Sequence, residues 1–278
     1  MRIGLSTPVV TAVPGLTSAW EATAGPDELG AIAACADELG FDHLTCSEHV
    51  VVPVEVAAIR GGTYWDPLAT LSFLAARTRA IRLVTSVLVL PYHHPLEIVK
   101  RYGTLDRLSG GRVVLGVGVG SLREEFDLLD APWDDRGAVT DVRMRELRAA
   151  WGQSEVDGML VSPAAQRDSV PLWVGGRTGR SLRRALELGD GWMPFGLHPD
   201  QLTDMLSRAE LPAGFDVILS PAHALDPLGD PDGSESAVRR LQSTGATLAT
   251  CRISATSADH YCEQLHALRA LADKITEA

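Results

Sequence analysis

The chain has 278 residues, 45% of them hydrophobic, and a formal charge of −11 at pH 7 from 25 Lys+Arg against 36 Asp+Glu. That is enough apolar material for a sizeable core, and the acidic balance argues against nucleic acid and anionic membranes as partners. Cys35, Cys46, Cys251 and Cys262 lack CxxC pairing and zinc-ligand spacing, and no apolar run approaches the ~20 residues of a membrane helix, so a reduced, soluble, cytoplasmic protein is expected.

Arg2 to Ser6 reads as a first strand, and beginning so early it leaves no signal peptide to expect. Thr11 to Gly25, rich in small residues, reads as a loop over the mouth of the fold. Asp27 can cap a helix to Leu39, with Leu29, Ile32, Ala33 and Ala36 on its apolar face and Gly40 at its end. Phe41 to Ser47 is a second strand that leads into Ser47-Glu48-His49. Val50 to Trp65 shows no helical period and reads as a loop. Asp66-Pro67 then opens a helix as an N-cap followed by proline at the first position.

The run Leu83 to Leu90 is nearly continuous, broken only by Thr85 and Ser86, the pattern of a strand buried on both faces in a parallel sheet. Pro91 stops it. A helix follows from Pro95, with Leu96, Val99, Tyr102, Leu105 and Leu108 on one face and Gly110-Gly111 as its stop. Val113 to Val117 is the next strand, ending in Gly118-Val119-Gly120-Ser121. Together these form a βαβ unit with parallel strands and a right-handed crossover.

Leu122 to Leu129 reads as a short helix, Ala131 to Gly137 as a loop and Asp141 to Trp151 as a helix. Val170 to Val174 is a strand leading through Gly175-Gly176 to a helix from about Gly179 to Leu188. Gly191 to Phe195 is the sixth strand, then a helix near Pro199 to Ala209 and a strand near Phe215 to Leu219. A polar loop runs to Gly233, a helix spans Glu235 to Thr244, Ala246 to Ile253 is the eighth strand, and Ala258 to Ile275 a final helix. Regular alternation favours an α/β fold, a single (β/α)8 TIM barrel over residues 1–278, rather than an open doubly wound sheet.

In such a barrel the chemistry gathers at the C-terminal mouth of the strands. Gly118-Val119-Gly120 lies there but fails as a dinucleotide fingerprint, because the third glycine position falls on Ser121 or, one register on, Arg123. Either a backbone turn or the close approach of a ligand would account for the glycines. Gly175-Gly176-Arg177-Thr178 joins a strand to a helix N-terminus, where free amides and the positive dipole end suit a phosphate. His49, with Glu48 orienting it, is the candidate proton donor or acceptor. His93 and His94 read as loop and cap residues; no metal cluster and no nucleophile elbow is found in the sequence.

SVLVLPYHHP, TLDRLSGGRVVLGVGVGSLREEF and PLWVGGRTGRSLRRALELGDGW resemble the luciferase-like flavin and deazaflavin oxidoreductases, most of all the branch that uses coenzyme F-420. The resemblance runs with gaps from Arg2 to about Phe195. It implies the same barrel, with hydride transfer between F-420 and a small organic substrate. It places Gly118, Val119 and Gly120 close to the cofactor ring, the Gly175–Thr178 loop on the cofactor phosphate and His49 against the ring. It also implies a non-proline cis bond at Ser86–Val87 and a bulge behind the ring. Arg183 and Arg184 could meet the acidic oligoglutamate tail of F-420, or be a solvated helix face. FMN with an oxygen-dependent monooxygenase reaction is the alternative, and a non-catalytic carrier is a second.

Two departures stand out. Ser121 occupies the place of a glutamate that is catalytic in some sugar-phosphate dehydrogenases of the family, and the segment between Trp151 and Val170 is shorter than the usual insertion. The substrate pocket would be lined by Pro8 to Pro26 and Val50 to Trp65. The family often forms dimers through barrel helices, so a homodimer is among the expected states.

Overall fold

The computed structural model describes residues 1–277, with side chains to residue 275. Eight parallel strands close on themselves: β1 (Arg2–Ser6), β2 (His43–Cys46), β3 (Arg82–Thr85), β4 (Val113–Gly118), β5 (Leu172–Gly175), β6 (Gly191–Met193), β7 (Asp216–Leu219) and β8 (Leu248–Cys251). Neighbours follow chain order, and β8 pairing with β1 through Arg2↔Leu248 completes the ring. All eight expected strands are present, and the barrel is the (β/α)8 architecture read from the sequence.

Ten α-helices are described around and between the barrel strands: α1 (Pro26–Glu38), α2 (Val54–Arg60), α3 (Pro67–Arg77), α4 (Pro95–Leu108), α5 (Arg123–Leu128), α6 (Arg136–Ala150), α7 (Gly179–Leu188), α8 (Pro199–Ser207), α9 (Pro231–Ser243) and α10 (Ala258–Glu277). The barrel interior is filled by Val84, Val114, Trp173, Met193, Ile218 and Leu248, all buried. The larger core lies between the outer strand faces and the helices.

Several local expectations need correction. Thr11–Ala12 pairs antiparallel with Thr63–Tyr64, and Ala19–Ala22 is a 3-10 turn, so Thr11 to Gly25 and Val50 to Trp65 are not plain loops. The second stretch also holds α2, whose apolar Val54 and Ile59 are 88% and 79% exposed. With no buried face to imprint a period, periodicity could not reveal it. Helix α1 is capped at Gly25, with Pro26 at the first position, rather than at Asp27. Asp230 caps α9 by accepting from Gly233 N–H, so that helix begins in the stretch read as a polar loop, and α6 begins at Arg136.

The N-terminal end of the barrel is closed by charge. Arg2 pairs with Asp42 at 3.3 Å and Asp216 at 2.7 Å, Arg82 pairs with Asp42, and His43 places Nδ1 2.7 Å from Asp42 and Nε2 2.8 Å from Thr250. Burial raises the Asp42 carboxyl, but His43 and Arg82 outweigh it and hold the group below its ordinary range. Burial lowers His43 despite Asp42 pulling the other way. Networks at this face of a barrel serve stability.

Candidate active site at the barrel mouth

The apolar run from Leu83 does not continue as one strand. It breaks after Thr85, where the Ser86–Val87 peptide is cis, and resumes as Leu88–Val89, paired with Val117 and Gly118 of β4. Ser86 N–H meanwhile donates to Cys46 O at 2.8 Å on the other side. The cis bond stands where the resemblance placed it.

Val87 projects between two glycines. A Cβ at Gly118 would lie 2.5 Å from Val87 Cγ2, and one at Gly175 would lie 2.8 Å from Val87 Cγ1. Both glycines are thus required by packing against Val87. At Gly118 the space expected for a ring is filled by the protein itself, while Gly120, at φ 79°, leaves room for Phe126. The side chain of Val87 helps to floor a cavity of about 360 Å³ at the mouth. Ser86, Val87, Gly118, Val119, Gly120, Gly175, Gly176, Glu48 and His49 all line it. Arg177 and Thr178 lie outside that lining, at the adjoining start of α7.

The two acid–histidine pairs are not those expected. Glu48 does not orient His49; its carboxylate accepts from Val89 N–H at 2.6 Å and lies 2.7 Å from His93 Nε2. It therefore ties the end of β2 to the Leu88–Val89 segment, and His93, read as a loop residue, is part of that clamp. His49 is held instead by Glu125, the residue that sequence reasoning missed. Glu125 is 0% exposed, and its Oε2 lies 2.8 Å from His49 Nδ1 and accepts from Tyr92 O–H at 3.0 Å. Oε1 accepts from Val50 N–H at 2.6 Å and Val51 N–H at 3.3 Å. Burial raises the Glu125 carboxyl, yet the His49 contact and the two amides prevail and keep it below the ordinary carboxylate range. An ionised Glu125 selects the His49 tautomer with the proton on Nδ1, leaving Nε2 as the acceptor on the cavity side. Burial first, and then Glu125, raise the Tyr92 phenol, which stays protonated.

At α7, Thr178 is the N-cap: its Oγ1 accepts from Ser181 N–H at 3.4 Å, and its own N–H donates to Ser181 Oγ at 3.2 Å. The Gly179 and Arg180 amides, in the first turn, have no intrahelical acceptor. Gly176 has φ 136°, and a Cβ there would meet Ser181 Cβ at 2.6 Å. Arg177, Arg180 and Arg183 are exposed and form no ion pair among the described residues. Arg184 differs: it is 6% exposed, pairs with Asp141 and donates to Gly137 O at 3.0 Å. It is an internal tie between α6 and α7 and is removed from the anion candidates.

A flat ring over apolar Val87, Val89, Met193 and Ile218, with a phosphate at the α7 N-terminus, fits this donor set and shape. A family model described as luciferase-like monooxygenase matches residues 1–211. The chain belongs to that family. Among curated relatives, an uncharacterised protein of Mycobacterium tuberculosis is 26% identical over 200 residues, which is 64% of this chain and 69% of that one. Of solved structures, the monooxygenase RslO1 from Streptomyces bottropensis superposes with TM-score 0.79 at 20% identity, covering 99% and 100% of the two chains. An F420-dependent secondary alcohol dehydrogenase with an F420–acetone adduct gives 0.71 at 14% identity, covering 96% and 98%. The oxygenating constituent of 3,6-diketocamphane monooxygenase from Pseudomonas putida, in complex with FMN, gives 0.68 at 15% identity, covering 97% and 96%.

Proposed function

We propose that this luciferase-like oxidoreductase transfers a hydride between coenzyme F-420 and a small organic substrate. The observation that carries the choice of cofactor is the row of exposed, unpaired Arg177, Arg180 and Arg183 leading away from the cavity at α7, on a chain of net charge −11. FMN ends in one phosphate and needs only the helix N-terminus, whereas the polyanionic tail of F-420 gives a line of cations something to bind. The likeness to the F420-dependent dehydrogenase supports the reading, and the likeness to the FMN-bound monooxygenase supports the alternative, FMN with oxygen.

When bound, the deazaflavin supplies the hydride chemistry; the protein binds, orients and manages the proton. The Gly176, Arg177 and Gly179 amides, with the Arg177 side chain and the Thr178 hydroxyl, would hold the phosphate, the Thr178 amide being taken by Ser181 Oγ, and Val87 would floor the ring. His49 Nε2, fixed in role by Glu125 at Nδ1, would exchange a proton with the substrate oxygen. Tyr64, edge-on to His49 with centroids 4.6 Å apart, restrains the imidazole. Glu48 acts by holding the backbone beside the ring site.

Calorimetric titration with F-420 and with FMN tests the reading. Tight F-420 binding that weakens at least about tenfold in Arg177→Ala, with the melting curve unchanged, is expected from loss of one or two charge-assisted bonds. Tight FMN binding with none of F-420 would reverse the choice. Binding of one cofactor without turnover on ketone, enone and alcohol panels would favour the carrier.

A further inference from the structure

The loop between β7 and α9 is tied down on one side. Leu225 N–H donates to Arg252 O and Ser254 N–H to Leu225 O, both at 2.8 Å, which laces the loop to the residues after β8. On α10, Gln264 accepts from Leu228 N–H at 3.0 Å and donates to Asp226 at 2.5 Å. On the other side, no hydrogen bond or ion pair among the described residues joins this loop or α9 to α8. Helix α8 has only nine residues. Leu206, in its last turn, reaches the far end of α9, where a Cβ at Gly245 would lie 3.8 Å from Leu206 Cδ1. Closer to the mouth the two helices part around a cavity of about 350 Å³.

One face of α9, carrying Ser234, Ala237, Leu241 and Thr244 at intervals of three or four, runs along this cavity. Leu219 and Leu225 are buried beneath it, while Leu197 and Leu202, on the α8 side, are half-buried and keep accessible apolar surface. The carboxylates at its rim are engaged: Asp226 accepts from Gln264 and from Gly229 N–H at 3.0 Å, and Asp230 caps α9. Arg240 is exposed. Burying a charge against leucine walls would cost its hydration, so an uncharged apolar group is what they suit.

This cavity adjoins the reaction cavity. Ser220, at the end of β7, belongs to the walls of both. The turn after β6 makes the same divide, because Phe195 lines the reaction cavity, Leu197 lines the groove, and Gly196 turns between them at φ 62°. Phe195 is 57% exposed, an apolar side chain at the threshold. We propose that the groove between α8 and α9 holds an uncharged aliphatic arm of the substrate, whose reacting carbon lies in the reaction cavity. Binding energy from such a non-reacting part can position the reacting end. The proposal rests on the oxidoreductase reading only in calling the occupant a substrate. Its binding is measured without cofactor, so the two readings fail separately.

The test is a ligand-observed NMR titration of the cofactor-free protein with butan-2-one and with octan-2-one, which adds four methylenes. Each methylene buried is worth about fourfold in affinity, so octan-2-one is expected to bind at least about tenfold more tightly after the cost of ordering its chain. In Ala237→Phe, which fills the groove from α9, that preference should fall towards parity with the thermal melt unchanged. Ala224→Phe fills it from the loop and decides the matter should the first variant fold poorly. In methyl-labelled protein, the terminal methyl of octan-2-one should give nuclear Overhauser contacts to Leu202 or Leu225, and its acetyl methyl to Val87 or Met193. Equal affinity for the two ketones in the wild type would overturn the proposal. So would a preference that survives the filling variants, or contacts that place both ends of the ligand on the walls of one cavity.

Discussion

The Glu125→Gln variant tests the reading of the site most directly. Glu125 accepts two amide bonds on one oxygen and faces His49 Nδ1 and Tyr92 O–H with the other. The glutamine oxygen can keep the amides of Val50 and Val51, but its NH2 group would then face two donors. His49 can adapt by moving its proton to Nε2; Tyr92 can turn its hydroxyl away. Bonds to a charged acceptor contribute about 1.5–3 kcal/mol each, and a tautomer change recovers part of one, so the expected loss is about 2–4 kcal/mol. Urea unfolding measures it, and imidazole 15N shifts should report the proton on Nε2 instead of Nδ1. The same variant should lower turnover more than it alters cofactor affinity, because the atom presented to substrate changes from acceptor to donor. A loss below about 0.5 kcal/mol, the range of an inconsequential surface change, together with an unchanged tautomer would refute the argument.

Three further outcomes follow from the packing. Gly118→Ala should destabilise by about 1–3 kcal/mol by overpacking against Val87, and Val87→Ala in the same chain should restore part of that in urea unfolding. Arg184→Ala should cost about 2 kcal/mol by leaving Asp141 without its partner, against under about 0.5 kcal/mol for exposed Arg183→Ala. Stability should fall on acidification below about pH 6.5 and further below about pH 4, the unfolded values of histidine and aspartate. The sign follows from His43, Asp42 and Glu125 all being depressed in the fold, so the unfolded chain binds the extra protons. In Asp42→Asn the lower part of that loss should shrink in a pH series of thermal melts.

The eight strands were legible in the chain because burial on both faces leaves continuous apolar runs, and Asp66, Pro67, Pro95 and Gly110 punctuate the helices through local backbone preferences. The family resemblance likewise located the mouth and the cis bond at Ser86–Val87. The sequence could not single out Glu125. It lies 76 residues from His49, and nothing local separates it from its exposed neighbour Glu124. Glu48, adjacent to His49 in the chain, was the natural partner to expect, yet consecutive residues at a strand end point to different sides. Glu48 therefore turns to Val89 and His93, and the barrel's closure brings α5 across to His49. Arg183 and Arg184 are equally adjacent and equally cationic, and only the packing of α7 on α6 buries one and exposes the other. Periodicity and capping are set by neighbours within a turn or two, whereas which charge meets which across the mouth depends on the curvature of the closed sheet, and that exists only in the folded barrel.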